Sequence, residues 1–114
     1  MNRRSFQHDT FKDMGFLCVN ILTCEDEHLS PVFAGKDNLS MPERFSRAKW
    51  LRLVTGAPAL ESAAAVLDCN VTQIVVVGTH SVMFCTVQAI HLGSESSGLV
   101  YHGRRYHKIL SQAG

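Results

Sequence analysis

The sequence predicts a mainly antiparallel β domain with one or two short helices, most simply a small closed or nearly closed barrel. Three observations carry that prediction. Residues 63–77 and 82–92 alternate apolar and polar side chains at the period of a strand, and Gly78-Thr79 between them suits a tight hairpin. The apolar, β-branched run Phe16-Leu17-Cys18-Val19-Asn20-Ile21-Leu22 reads as a buried strand with one polar interruption. Two shorter runs, 99–101 and 106–109, flank the turn residues His102-Gly103-Arg104-Arg105. At 114 residues the chain has the length of one ordinary domain.

Residues 5–14 include Phe6, Phe11 and Met14, and Gly15 stands where a helix C-cap falls, so a helix of two turns is expected there. After the strand at 16–22, Thr23 occupies a helix N-cap, with Asp26 at the capping-box position. Glu25, Asp26 and Glu27 then place carboxylates in the first turn, where exposed N–H groups favour negative charge. Leu29, Val32 and Phe33 continue at helical spacing, but Pro31 lacks an N–H and its ring clashes one turn back. Either the helix kinks there, or Ser30 caps a second short helix with Pro31 at its first position; Gly35 ends it.

Residues 36–47 are polar and irregular, contain Pro42, and read as a loop. Trp50, Leu51 and Leu53 form a short strand before the turn Thr55-Gly56-Ala57-Pro58. Leu60, Ala63, Ala64 and Leu67 satisfy a helical period, yet from Ala63 the strand alternation is cleaner. It puts Ala63, Ala65, Leu67, Cys69 and Val71 on one face and Asp68, Asn70 and Thr72 on the other. Met83, Cys85, Val87 and Ala89 form the corresponding face of 82–92.

Lys plus Arg number 11 and Asp plus Glu 10, a formal net charge of +1. That balance argues against a coat for nucleic acid or an anionic membrane, where a positive excess supplies the affinity. Apolar stretches such as 74–77 fall far short of the ~20 residues of a membrane helix. Met1-Asn2-Arg3-Arg4 is basic, but no apolar core follows it as in a secretory signal, so a cytoplasmic location is expected. Cys18, Cys24, Cys69 and Cys85 show no C-x-x-C spacing and are expected to be reduced core hydrophobes. The histidines His8, His28, His80, His91, His102 and His107 are scattered singly, so no metal site is expected.

The residues alone offer little chemistry. No nucleophile elbow, P-loop or G-x-G-x-x-G fingerprint is present. His80 beside Ser81 is not a catalytic pair, because adjacent strand residues point to opposite faces. The most suggestive feature is His80 at a hairpin tip, with Tyr101, Tyr106 and His107 on strands expected to return nearby. Such a histidine serves as donor, acceptor or charge near neutral pH, or simply as a solvated turn residue. Arg104-Arg105 suits a phosphate or carboxylate ligand, or a wet surface.

The ordered motifs resemble a known family. They are Phe16-x-Cys18-Val19-Asn20-Ile21-Leu22, Phe33-Ala34-Gly35, Arg44-Phe45, Thr55-Gly56-Ala57-Pro58-x-Leu60, the strand into Cys69, Gly78-Thr79-His80, and Leu99-x-Tyr101-His102-Gly103-x-x-Tyr106-His107. In that order and spacing, across nearly the whole chain, they resemble the flavin reductase-like family. Its members are short-chain NAD(P)H:flavin oxidoreductases that serve two-component aromatic monooxygenases.

The resemblance implies an FMN-binding split β-barrel, partial here, forming a homodimer with the flavin near the interface. It also implies hydride transfer from NADH or NADPH to FMN, or to FAD. The reduced flavin then leaves for a flavin-dependent monooxygenase. The flavin carries the electronics while the protein holds two flat rings face to face, so no acid–base constellation is needed.

The same resemblance assigns residues. His80 matches the catalytic histidine of a Gly-Asp-His turn on the nicotinamide side, with Thr79 where the family often has Asp. Asn2 and Ser5 match a polar segment that contacts the flavin, commonly through its phosphate, and Ala34 and Gly35 match a segment that approaches the ribityl phosphate chain. Lys36 and Arg44 are candidates for charge compensation, and Tyr106 and His107 match a C-terminal segment near the same pocket. Family members carry strands ahead of the Asn-Arg-x-Ser position. The expectation is therefore a single domain over 1–114, shortened at its N-terminal side, with unpaired strand edges and weak flavin affinity on its own. Two alternatives remain open: a non-catalytic flavin- or haem-binding split-barrel module, and an inactive dimerising remnant.

Overall fold

The computed structural model describes residues 1–5, 8–35, 38–93 and 97–109. Helix α1 (His8–Met14) runs into strand β1 (Phe16–Ile21), followed by a 3-10 turn (Cys24–Asp26) and two short helices, α2 (Leu29–Phe33) and α3 (Met41–Phe45). Six strands complete the order: β2 (Trp50–Arg52), β3 (Pro58–Leu60), β4 (Ala65–Val77), β5 (His80–Leu92), β6 (Gly98–His102) and β7 (Arg105–Ile109). The mainly β, antiparallel architecture is as expected, divided among three sheets of order β1-β4-β5, β2-β3 and β6-β7. Strand β4 is the centre of the largest sheet, pairing Leu17 with its Cys69 and Val77 with His80 of β5.

Asn20, the one polar residue of the apolar run, is the splice between two sheets. Its Nδ2 donates to the Pro58 carbonyl at 3.2 Å, and its Oδ1 accepts the Leu60 N–H at 2.7 Å. A side-chain amide thereby substitutes for backbone pairing between β1 and β3. The core lies beneath this junction, formed by Leu29, Ala59, Leu60, Ala63 and Val66, with Phe33, Trp50, Leu51 and Leu53 packed around it. Gly93 is required where the chain leaves β5, since a Cβ there would collide with the Ala63 carbonyl.

Several expectations are corrected. Residues 36–47 are not simply a loop. Ser40 caps α3, with its hydroxyl accepting the Glu43 N–H at 3.3 Å and donating to Glu43 Oε1 at 2.9 Å, and Pro42 sits within the first turn. The residues are those of a capping box, Ser40-x-x-Glu43, but the Glu43 carboxylate accepts from the Ser40 hydroxyl rather than from its backbone N–H. Thr23 does not cap through its side chain; its hydroxyl donates to Asp26 Oδ2 instead, at 3.2 Å. The second helix starts at Leu29 with His28 at the cap, so Pro31 falls in the first turn, where its missing N–H costs nothing. Strand β4 begins at Ala65, and β3 was unforeseen.

The deepest revision concerns the faces of β4. Val66 and Asp68 are both 0% exposed, while Ala65 and Leu67 are only partly covered. A register shift between Asp68 and Cys69 then reverses the phase, so Cys69 is buried and Asn70 is exposed. The bulge inserts one residue out of step, which strict alternation does not foresee.

Candidate functional site

Four of the residues singled out by resemblance converge on one cleft of about 530 Å³. Ser5, Ala34, Gly35 and Arg44 line it, together with Ser40 and Met41. The cap on α3 explains why Arg44 lies there: once Ser40 starts the helix, Arg44 falls in its last turn, and its Nε donates to the Leu39 carbonyl at 3.0 Å. Gly35 follows α2 with φ +78°, a conformation a larger side chain rarely adopts. A Cβ on Gly35 would also lie 3.6 Å from an Arg44 guanidinium nitrogen, so the missing side chain keeps the approach to that cation open. Lys36 lies outside the described residues.

His80 is the first residue of β5, exposed, with its Nδ1 2.9 Å from the Thr79 hydroxyl. It forms a bridge with Asn2, whose carbonyl accepts the Ser5 N–H at 3.0 Å. The Asn2–Ser5 turn therefore connects the His80 tip to the Arg44 cleft. Tyr106 approaches from another side: its hydroxyl donates to Ser30 Oγ at 2.7 Å, and the Ser30 carbonyl in turn accepts the Ala34 N–H at 3.0 Å. His107 stays with its own hairpin, exposed, its Nε2 3.1 Å from the His102 carbonyl. The tyrosine thus neighbours the Ala34–Gly35 segment rather than His80.

A second cavity, of about 610 Å³, is almost wholly apolar and is enclosed by Phe11, Phe16, Leu29, Phe33, Phe45 and Trp50. Phe33, Phe45 and Trp50 pack edge to face with centroids 5.0 to 5.6 Å apart, and the Trp50 indole N–H donates to the Phe45 carbonyl at 2.8 Å. Phe33, Ala34 and Met41 border this cavity and the Arg44 cleft alike, so the aromatic cluster braces the wall that carries Arg44.

Two polar clusters escaped sequence reasoning. Asp68 Oδ2 accepts the N–H groups of Val54 and Thr55 at 2.8 and 2.9 Å, and its Oδ1 accepts the Thr55 hydroxyl. The Cys18 thiol donates to the same oxygen at 3.3 Å. Burial alone would raise the Asp68 pKa, but the bonds from Thr55, Cys18 and Val54 outweigh it and hold the carboxyl below its usual value. The Cys18 thiol is pushed up to about 12 by burial and then by the hydrogen bond to, and charge of, Asp68. This cluster fixes the turn at 54–57 and favours the protonated thiol of Cys18. A buried carboxylate on an apolar-looking strand has no sequence signature.

The second cluster joins α1 to β5. His8 Nδ1 lies 3.0 Å from Asp9 Oδ1 and His8 Nε2 2.8 Å from Ser81 Oγ. With Asp9 accepting from Nδ1, Nε2 is left to the Ser81 hydroxyl. The order of atoms is that of a nucleophilic triad, but Ser81 is 0% exposed, so its oxygen has no approach and the contact fastens the helix to the strand.

Comparison with known proteins agrees with the geometry. The flavin reductase like domain profile matches residues 1–110. FMN reductase (NADH) RutF of Serratia proteamaculans is 44% identical over 112 residues, covering 98% of this chain and 63% of that protein. A solved structure described as a flavin reductase of Haemophilus somnus superposes with a TM-score of 0.90 at 39% identity, over 96% of this chain and 69% of that one. The flavin reductase HpaC complexed with NADP+ superposes at 0.79 and 26% identity, over 94% and 66%. The chain spans 58 to 63% of the length of five RutF relatives that it matches. Fold, ordered motifs and profile agree: the chain belongs to the flavin reductase like domain family.

Proposed function

We propose that the chain reduces FMN, or FAD, with NADH or NADPH and hands the reduced flavin to a partner monooxygenase. The observation that carries this reading is the convergence of Ser5, Ala34, Gly35 and Arg44, distant in sequence, on one cleft. A guanidinium, a hydroxyl and a wall lacking bulk fit the phosphate end of a flavin mononucleotide. When bound, the flavin takes up a hydride from the nicotinamide. Ser5 and Arg44 hold the phosphate, Ala34 and Gly35 let the ribityl chain come close, and Asn2 orients the segment between that cleft and His80. His80 faces the nicotinamide, where its ring offers a donor or acceptor without needing to move a proton. Tyr106 steadies the Ala34–Gly35 wall through Ser30, while His107 stays with its own hairpin.

A homodimer is part of the reading. Strand β5 is a sheet edge and exposes Val82, Phe84, Ile90 and Leu92, an apolar face that a second copy would cover. No described helix is long and apolar enough to cross a membrane, and a site in the cytoplasm would supply the nicotinamide nucleotide.

The test is a titration of FMN with the purified chain, followed by NADH. Quenched flavin fluorescence, bleaching on NADH addition, and an Arg44→Ala midpoint about tenfold higher are expected. Quenching without bleaching would leave a flavin-binding module, and unquenched fluorescence would leave a dimerising remnant. Unchanged use of NADH in His80→Ala would remove that residue from the site.

A further inference from the structure

The buried contact between His8 and Ser81 lies one residue from His80. Adjacent residues of a strand point to opposite faces, so His80 is exposed where Ser81 is buried. Ser81 is 0% exposed, and among the described residues its hydroxyl bonds only the His8 ring, 2.8 Å from Nε2. His8 is itself buried, and Asp9 lies 3.0 Å from its other ring nitrogen, Nδ1. Little else grips the side chains at this end of the ribbon. A Cβ on Gly78 would meet nothing within 4 Å, and Val77 is exposed. Backbone bonds to Met1 and Arg3 place the strand, whereas the bond between ring and hydroxyl sets its roll. A hydrogen bond is directional, and a buried hydroxyl is costly to leave without its partner.

His8 is tied to the flavin side as well. Its backbone N–H donates to the Ser5 carbonyl at 3.1 Å, the Ser5 N–H donates to the Asn2 carbonyl at 3.0 Å, and Asn2 bridges His80. Ser5, Asn2, His80, Ser81 and His8 thus form a closed circuit. We infer that His8 is a positioning residue for the hydride transfer. Through Ser81 it sets the direction in which His80 meets the nicotinamide, and through Ser5 it ties that direction to the flavin phosphate. It touches neither ligand itself. The inference rests on the roles of Ser5 and His80 proposed above. An apolar side chain in its place would still pack α1 against β5, but would leave the Ser81 hydroxyl unmatched and the roll of the strand free.

The test separates positioning from simple fastening. His8→Gln places an amide where Nε2 lies and still reaches Ser81, whereas the amide of His8→Asn reaches only as far as Nδ1. Ser81→Ala removes the other partner with the least change in packing. In steady-state assays of folded protein with FMN, His8→Asn and Ser81→Ala should raise the KM for NADH about tenfold and change kcat less than about twofold. His8→Gln should stay within about twofold of wild type. Val66→Ala, a core change away from the tip, should lower thermal stability and leave KM alone, as His8 variants would if the contact only fastened α1. The ring C–H signals of His80 in proton NMR, identified by their loss in His80→Ala, need neither ligand nor turnover. They should move in His8→Asn and Ser81→Ala and return in His8→Gln. The inference is overturned if KM or the His80 signals stay as in wild type in both disrupted variants, if His8→Gln is as impaired as His8→Asn, or if Val66→Ala raises KM equally. A wild-type chain that oxidises no NADH overturns the proposed activity instead. The His80 signals then decide alone, supporting the positioning role if they move and return and overturning it if they do not.

Discussion

The two ends of the β4–β5 ribbon share one backbone geometry and sit in opposite surroundings. Near Asp68 the ribbon is sandwiched by β1 and the turn at 54–57, and every polar atom of the carboxylate is matched by a donor. At the tip, Val77 is 60% exposed and the strands are held mainly by residues 1–3, through Ser81 N–H to the Met1 carbonyl and Arg3 N–H to the Thr79 carbonyl, each at 2.8 Å. Enclosure strengthens electrostatics at the first end, while the second keeps polar groups within reach of ligands. The difference teaches where enclosure and exposure divide: His80, the residue proposed to face the nicotinamide, belongs to the loosely packed end, where binding elements are commonly found.

Replacing the buried carboxylate should separate the ends most sharply. Asp68→Ala leaves two N–H groups, a hydroxyl and a thiol without their acceptor, and should cost about 3 to 5 kcal/mol in urea unfolding. A loss below about 1 kcal/mol would mean that water serves those donors and that the ends are alike.

Thiol chemistry reads the same enclosure. With Cys18 pushed up to about 12, its alkylation at mildly alkaline pH should be at least ~100-fold slower than that of a free cysteine, and should recover in urea. Labelling of Cys18 at the free-thiol rate in the folded chain would show that the cluster is open to solvent.

Acid should act more gently, and through the same group. Because folding lowers the Asp68 pKa, its contribution is complete above the ordinary carboxylate value of about 4 and falls as pH drops below that. The acid limb of stability should flatten in Asp68→Asn; an unchanged limb would assign the dependence to other carboxylates. The smallest effect belongs to the tip, where Val77→Thr should shift stability by no more than about 0.5 kcal/mol at low protein concentration. A larger loss would show that the tip is covered.

Much of the architecture was legible because strand alternation and apolar runs report local backbone period directly. The hairpin at Gly78-Thr79, the strand at 16–22 and the helix ending at Gly15 all appear where those patterns put them. Helix α3 was legible too, in Ser40 and Glu43, but Pro42 between them was read as a breaker rather than as a first-turn residue. Of the site, resemblance pointed to Ser5, Ala34, Gly35 and Arg44, and the fold brings those four to one cleft. Nothing local pointed to Asp68, His8 or Lys12, because their partners are remote in the chain or supplied by backbone.

The sequence by itself determined the strand and helix periods, the turns and the absence of a large net charge, all of which depend on neighbouring residues. Tertiary structure alone decided which face of β4 is enclosed, that Asn20 joins two sheets, and that Arg3, Arg4 and Lys12 meet beside the hairpin tip. A period has no sign: alternation says that two faces differ, and only the elements packed against them, with the donors those elements bring, make a buried aspartate cheaper than an exposed one.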